Sequence, residues 1–166
     1  MRFSATCVAA LLLLASPLAA QGTQIGFGGF QSDTSQPVDV AADQLEVDQA
    51  SGAAVFTGNV LVTQGEMTLS AESLRVEYAA AEGDTPGGIS RLLAKGKVVL
   101  VNGADAAEAD EAIYTIATGT VEMQGNVLLT QGPNVISSEK MTANLETGTA
   151  RLDGRVRTTL KSSQSE

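Results

Sequence analysis

The ten-residue stretch Phe56-Thr57-Gly58-Asn59-Val60-Leu61-Val62-Thr63-Gln64-Gly65 returns almost letter for letter as Met123-Gln124-Gly125-Asn126-Val127-Leu128-Leu129-Thr130-Gln131-Gly132. Weaker echoes are Ala94-Lys95-Gly96-Lys97-Val98-Val99-Leu100 and Leu152-Asp153-Gly154-Arg155-Val156-Arg157-Thr158. The Gly-x-Val triplets begin at Gly58, Gly96, Gly125 and Gly154, at intervals of 38, 29 and 29 residues. Around each glycine the same column recurs at period two: Phe56-Gly58-Val60-Val62, Ala94-Gly96-Val98-Leu100, Met123-Gly125-Val127-Leu129 and Leu152-Gly154-Val156-Thr158. A unit of this size cannot bury its apolar face alone and does so by stacking on its neighbours. Period two selects strands, so the expectation is an all-β fold of stacked strands sharing one apolar column. Glycine weakens a strand and marks a bend or a close backbone approach.

The rest of the chain fits around that column. Val38, Val40 and Ala42 alternate with polar neighbours, and Leu45 and Val47 continue the apolar face after a one-residue slip at Ala42-Asp43, which suggests a bulge. Met67, Leu69 and Ala71, then Leu74, Val76 and Tyr78, form further alternating runs. Ala79 to Gly88 reads as a loop whose insertion explains the longer first interval. Ala104 to Ala112 could be a short helix on propensity alone, whereas its place in the repeat makes it a strand. The expected organisation is a signal peptide at 1–20, a flexible lead-in at 21–36, the β domain at 37–160 and a short tail at 161–166.

Met1-Arg2, the apolar run Val8–Ala15 and Ser16-Pro17-Leu18-Ala19-Ala20 have the order of a cleavable secretory signal. The apolar run is well short of the ~20 residues of a membrane span. Cleavage after about Ala20 removes Cys7, and the chain has no histidine. That excludes thiol nucleophiles, histidine bases, Cys/His zinc sites and disulfides from the exported form. The formal charge of −9 argues against nucleic acid, whose phosphates need a basic face. No Gly-x-Ser-x-Gly, Walker loop or metal box is present, and Gly26-Phe27-Gly28-Gly29-Phe30 lacks the strand and helix of a phosphate loop. Neither an enzyme nor a cofactor or metal is expected.

A carboxylate precedes each alternating strand between the glycines: Asp43, Glu72, Asp110 and Glu139. Acid–base catalysis needs two acids brought together in a pocket. Carboxylates repeated once per rung more often face water or tie off turn amides.

The run Gln36-Pro37-Val38-Asp39-Val40-Ala41-Ala42-Asp43, followed by Phe56 to Gly65, closely resembles the LptA (OstA-like β-jellyroll) family of lipopolysaccharide export, with similarity from about Gln36 to Leu160. The resemblance implies a slightly twisted jellyroll of antiparallel strands, open at both ends, in the periplasm. It implies an apolar groove that carries lipopolysaccharide toward the outer membrane by the acyl chains of its lipid A moiety. It also implies head-to-tail assembly and docking on an inner-membrane-anchored LptC-like protein and an outer-membrane LptD-like translocon. By the same resemblance, Val38 and Val40 match the N-terminal edge contacts, and Tyr114 and Ile116 match lipid-contacting interior positions. With the repeat column, the expected lipid-facing set is Phe56, Val60, Val62, Val98, Leu100, Tyr114, Ile116, Met123, Val127 and Leu129.

Ala150 to Leu160 alternates, with Arg151, Arg155 and Arg157 on one face and Val156, Thr158 and Leu160 on the other. The arginines either protect an edge strand by charge or flank an edge kept open for strand addition. Val156, Thr158 and Leu160 are the expected C-terminal partner edge. Two other functions fit the same pattern. One is a membrane-tethered sibling, which needs an uncleaved anchor. The other is a purely structural, self-assembling β-solenoid, which needs a tightly filled interior.

Overall fold

Alternating Val, Leu, Ala and Thr build the described residues almost wholly into strands. The computed structural model describes residues 23–26, 31–48, 51–80 and 87–159. The expected signal segment and C-terminal tail, together with Leu160, lie outside the described residues. The strands are β1 (Thr23–Gly26), β2 (Asp39–Ala41), β3 (Gln44–Asp48), β4 (Ala53–Gln64), β5 (Met67–Tyr78), β6 (Ile89–Asn102), β7 (Asp105–Thr115), β8 (Thr120–Gln131), β9 (Asn134–Asn144), β10 (Thr149–Asp153) and β11 (Arg157–Thr159). Every pairing is antiparallel, and the sheet order is β1-β10-β9-β8-β7-β6-β5-β4-β2. β3 joins β2 along β4, and β11 joins β10 along β9. The first and last strands of this order do not pair, so the roll is unclosed.

The repeated glycine marks a bulge in every long rung. Thr57 pairs with Ser73 and Val60 with Ala71, leaving Gly58-Asn59 opposite Glu72 alone. The same two-against-one step recurs at Gly96-Lys97, Gly125-Asn126 and Gly154-Arg155. All four glycines have φ of 79–81°, and the residues after them have φ of 42–50°. Two successive left-handed residues are costly for most side chains, so glycine and then asparagine serve at two of the four rungs. The bulges bend the strands and bring their tips together, which turns a long meander into a roll with facing walls.

The carboxylates expected to recur once per rung sit at these bulges. Asn59 Nδ2 donates to Asp43 Oδ2 at 2.7 Å, and Asn126 Nδ2 to Asp110 Oδ2 at 2.8 Å. Lys97 Nζ lies 2.7 Å from Glu72 Oε1, and Arg155 Nε donates to Glu139 Oε1 at 2.7 Å. Backbone bonds from Asp43 N to Gly58 O and from Glu139 N to Gly154 O close two of the bulges. Each acid therefore fastens the next bulge in the chain. The Ala42-Asp43 slip is one of these steps, because Ala41 pairs with Leu61 and Gln44 with Thr57.

The bulges also set the phase of burial. On β4, β6 and β8 the inward column keeps its parity through the glycine, as in Ala54 and Val60 or Met123 and Val127. On β5, β7 and β9 it jumps three residues across the acid, from Ala71 to Leu74, Ala109 to Ala112 and Ser138 to Met141. β7 carries the Ala/Glu-rich run as a strand, because pairing on both sides overrides helix propensity. Leu45 and Val47 are a correction. They lie in register with Phe56 and Ala54, but at the sheet edge they are 54% and 60% exposed, since no described strand lies beyond them.

Candidate functional site

The interior is one contiguous apolar cluster. Val60, Val62, Val98, Leu100, Tyr114, Met123, Val127 and Leu129 are fully buried in it, and Phe56 and Ile116 pack against it half-buried. The structure thus brings together the ten residues expected to line the interior. Leu74, Val76, Met141, Leu145 and Leu152 belong to the same cluster, Leu74 beside Phe56 and Met141 beside Met123 in register. The expected lipid-facing set left these out, although the alternating run Leu74-Val76 and the glycine column at Leu152 are both legible in the sequence. On β9 the step across Glu139 hid Met141, and Leu145 lies in the turn beyond that strand. The three-residue step across each acid was the available signal. The side chains fill the space between the walls, as in any native core.

A seam runs where the strand tips meet. Gln64 and Asn102 stand on one lip, beside the turns after β4 and β6, and Tyr114 and Leu145 stand on the other. The Tyr114 hydroxyl donates across the seam to Gln64 Oε1 at 2.9 Å. Residues 31–36 run along it, within the span expected to be a flexible lead-in. Gln64 Nε2 donates to the carbonyls of Thr34 (3.0 Å) and Gln36 (2.9 Å), and Asn102 Nδ2 to that of Gln31 (3.2 Å). On the opposite lip, Ser32 N donates to Leu145 O and Gln31 Nε2 to Glu146 O. Burial raises the Tyr114 phenol above its ordinary pKa, and the Glu146 carboxylate adds to the effect. Tyr114 therefore stays a neutral donor at physiological pH.

The segment along the seam is itself braced. Asp33 Oδ1 accepts from Ser35 N at 3.0 Å and from Ser35 Oγ at 2.5 Å, and Asp33 Oδ2 accepts from Gln36 Nε2 at 2.9 Å. The Gln36 bond first, then those from Ser35, hold the Asp33 carboxyl below the usual carboxylate range.

The two ends of the sheet differ. At the N-terminal edge, Val38 and Val40 are half-buried against the core, with Leu45 and Val47 beyond them. At the other end, β11 pairs with β9 on one side, and Val156 and Thr158 are exposed. β10 is covered by β1, with Thr23 opposite Leu152 and Gly26 opposite Thr149. Among the described residues no helix is long and apolar enough to cross a membrane, and no group of three or more acidic, histidine or cysteine residues could hold a metal ion.

An unclosed β-jellyroll with an apolar interior, a polar seam and two strand edges defines a class whose chemistry is burial and pairing. The chain belongs to the LptA/(LptD N-terminal domain) LPS transport protein family, whose match covers residues 39–149. It is 36% identical over 115 residues to an uncharacterized protein of Rhizobium meliloti strain 1021, covering 68% of this chain and 62% of that protein. It is 34% identical over 82 residues to the lipopolysaccharide export system protein LptA of Escherichia coli K12, covering 49% of this chain and 43% of LptA. The matches thus span less than two thirds of either relative's length. The crystal structure of LptH from Pseudomonas aeruginosa, the LptA-homologous periplasmic component of its lipopolysaccharide transport device, superposes with a TM-score of 0.67. That likeness covers 79% of this chain and 99% of LptH at 19% identity, and it bears on the fold.

Proposed function

We propose that this chain is a non-enzymatic periplasmic carrier of lipopolysaccharide that holds the acyl chains between the two walls of the roll. The observation that carries this is the interior itself, one contiguous apolar cluster that includes Val60 and Leu152. Among the described residues, buried polar groups stand only at the strand ends (Gln64, Asn102, Asp105) and at Ser138 beside the Glu139 bulge. The names of the E. coli and P. aeruginosa relatives support the same role. Magnitudes allow it. Six seam bonds, two from Gln64 and one each from Tyr114, Asn102, Ser32 and Gln31, contribute about 1 kcal/mol net apiece. An acyl chain of about a dozen methylenes gains ~0.8 kcal/mol per CH₂ buried, which exceeds the cost of parting the lips.

Head-to-tail joining of copies belongs to the same proposal, as does docking on an LptC-like anchored protein and an LptD-like translocon. Val38 and Val40 carry the edge at one end, and Val156, Thr158 and Leu160 at the other. Titrating the purified chain with lipopolysaccharide and with its deacylated form tests the carrier role. Binding that needs the acyl chains supports it, and equal binding of both forms overturns it. The filled interior favours one other reading, a structural β-solenoid without ligand. It expects neither form to bind.

A further inference from the structure

We propose that the β10 edge accepts either of two strands, β1 of the same chain or β3 of a second copy, so that β1 competes with end-to-end assembly. The proposal rests on the head-to-tail reading above and adds the register and a control on it.

Across the sheet, acid rungs and glycine rungs alternate strictly: Asp43, Gly58, Glu72, Gly96, Asp110, Gly125, Glu139, Gly154. The sheet begins on an acid rung and ends on a glycine rung. A second copy adding its Asp43 rung to Gly154-Arg155 continues the alternation without a misfit bulge, as Glu139 does opposite Gly125-Asn126. The register follows from β8 and β9, where Val121 pairs with Ala143, Met123 with Met141 and Gln124 with Lys140. Carried to the terminal rung by the repeat, it sets Ala150 opposite the second copy's Val47 and Leu152 opposite its Leu45. These are the two exposed apolar side chains of β3. It also sets Val156 opposite Ala42 and Thr158 opposite Val40 of that copy.

β1 holds those same seats. Ile25 pairs with Ala150 and Thr23 with Leu152. It blocks only the β10 half of the terminal rung, because no described strand pairs with the outer side of β11. A second copy can therefore pair its β2 with β11 first and displace β1 by strand exchange. β1 has four residues, whereas β2 and β3 together offer eight. The tethered strand wins in dilute protein and the second copy wins once it is concentrated.

Sedimentation velocity over a concentration series tests this on the full chain in a Cys7→Ser background. In the Gln24→Pro/Ile25→Pro variant at least one ladder N–H is lost, since successive strand amides point to opposite sides. In the Gln24→Cys/Arg151→Cys variant, a pair in direct register is locked by a disulfide. The proline variant is expected to associate at about tenfold lower concentration or less, the factor expected when a competent state rises from a tenth to most of the population. The oxidised lock is expected to stay monomeric and to return to wild-type association on reduction. Val47→Asp on the proline background is expected to abolish the gain. If wild type, proline variant and oxidised lock all associate alike, end-to-end joining stands and the competition is refuted. If every form stays monomeric at all concentrations, the second copy is not the occupant and the head-to-tail reading falls as well.

Discussion

Replacing Gly96 by alanine tests the pairing of bulge and acid that shapes the roll. Gly96 has φ +79°, and an alanine Cβ there would lie 2.5 Å from Glu72 Oε2 and 3.0 Å from Glu72 Cβ. The left-handed conformation costs an L residue about 1–2 kcal/mol. Crowding against Glu72 adds a cost of the overpacking kind, about 1–3 kcal/mol in a packed site, toward the lower end here because the carboxylate is the flexible end of the side chain. The expected loss for Gly96→Ala is therefore about 2–4 kcal/mol, read from urea unfolding. Glu72→Gly removes the carboxylate and the Cβ but leaves the backbone requirement at Gly96. In that background Gly96→Ala should cost only about 1–2 kcal/mol, a coupling of about 1 kcal/mol or more in the double-mutant cycle. Equal costs in the two backgrounds, or a loss below about 0.5 kcal/mol in either, would refute the reasoning.

Tyr114→Phe leaves the buried Gln64 Oε1 without its partner across the seam and should cost about 1–3 kcal/mol in the same unfolding assay. Because the Tyr114 phenol is raised, its contribution is complete below the unfolded tyrosine value of about 10 and is lost as pH rises through the folded one, so stability should fall more steeply at strongly alkaline pH in wild type than in Tyr114→Phe. The Asp33 carboxyl is lowered, so its contribution is complete above about pH 4 and disappears as pH falls through the folded value; protection of the amides of residues 32–36 relative to their intrinsic exchange rate should fall there, and Asp33→Asn should remove that pH dependence. Val40→Asp places a charge against the half-buried edge and should weaken docking of a second copy in a pull-down while circular dichroism stays that of the folded domain.

The glycine strands were legible because their inward parity runs unbroken through the bulge, so Phe56, Val60 and Val62 line up in the sequence as they do in space. On β5 the two runs Met67-Leu69-Ala71 and Leu74-Val76 were legible as well, but on β7 and β9 the inward Ala112 and Met141 follow a three-residue step that interrupts period two. The role of the acids was half legible. Their recurrence pointed to turn chemistry rather than a catalytic pair, but Asn59, Lys97, Asn126 and Arg155 as their partners came only with the register. The seam was invisible. Residues 31–36 are polar without period, and Gln64 and Tyr114 are joined by folding over a separation of fifty residues. Leu45 and Val47 continue the apolar pattern faithfully, yet a pattern cannot say that the sheet ends there.

Photo-crosslinking in cells tests the carrier role most directly. A photoreactive residue at Ile116 or Phe56, both half-buried against the interior, should form an adduct with lipopolysaccharide, and one at the outward-facing Arg151 should not. No adduct at the two interior positions, with lipopolysaccharide captured at Arg151 instead, would contradict the account.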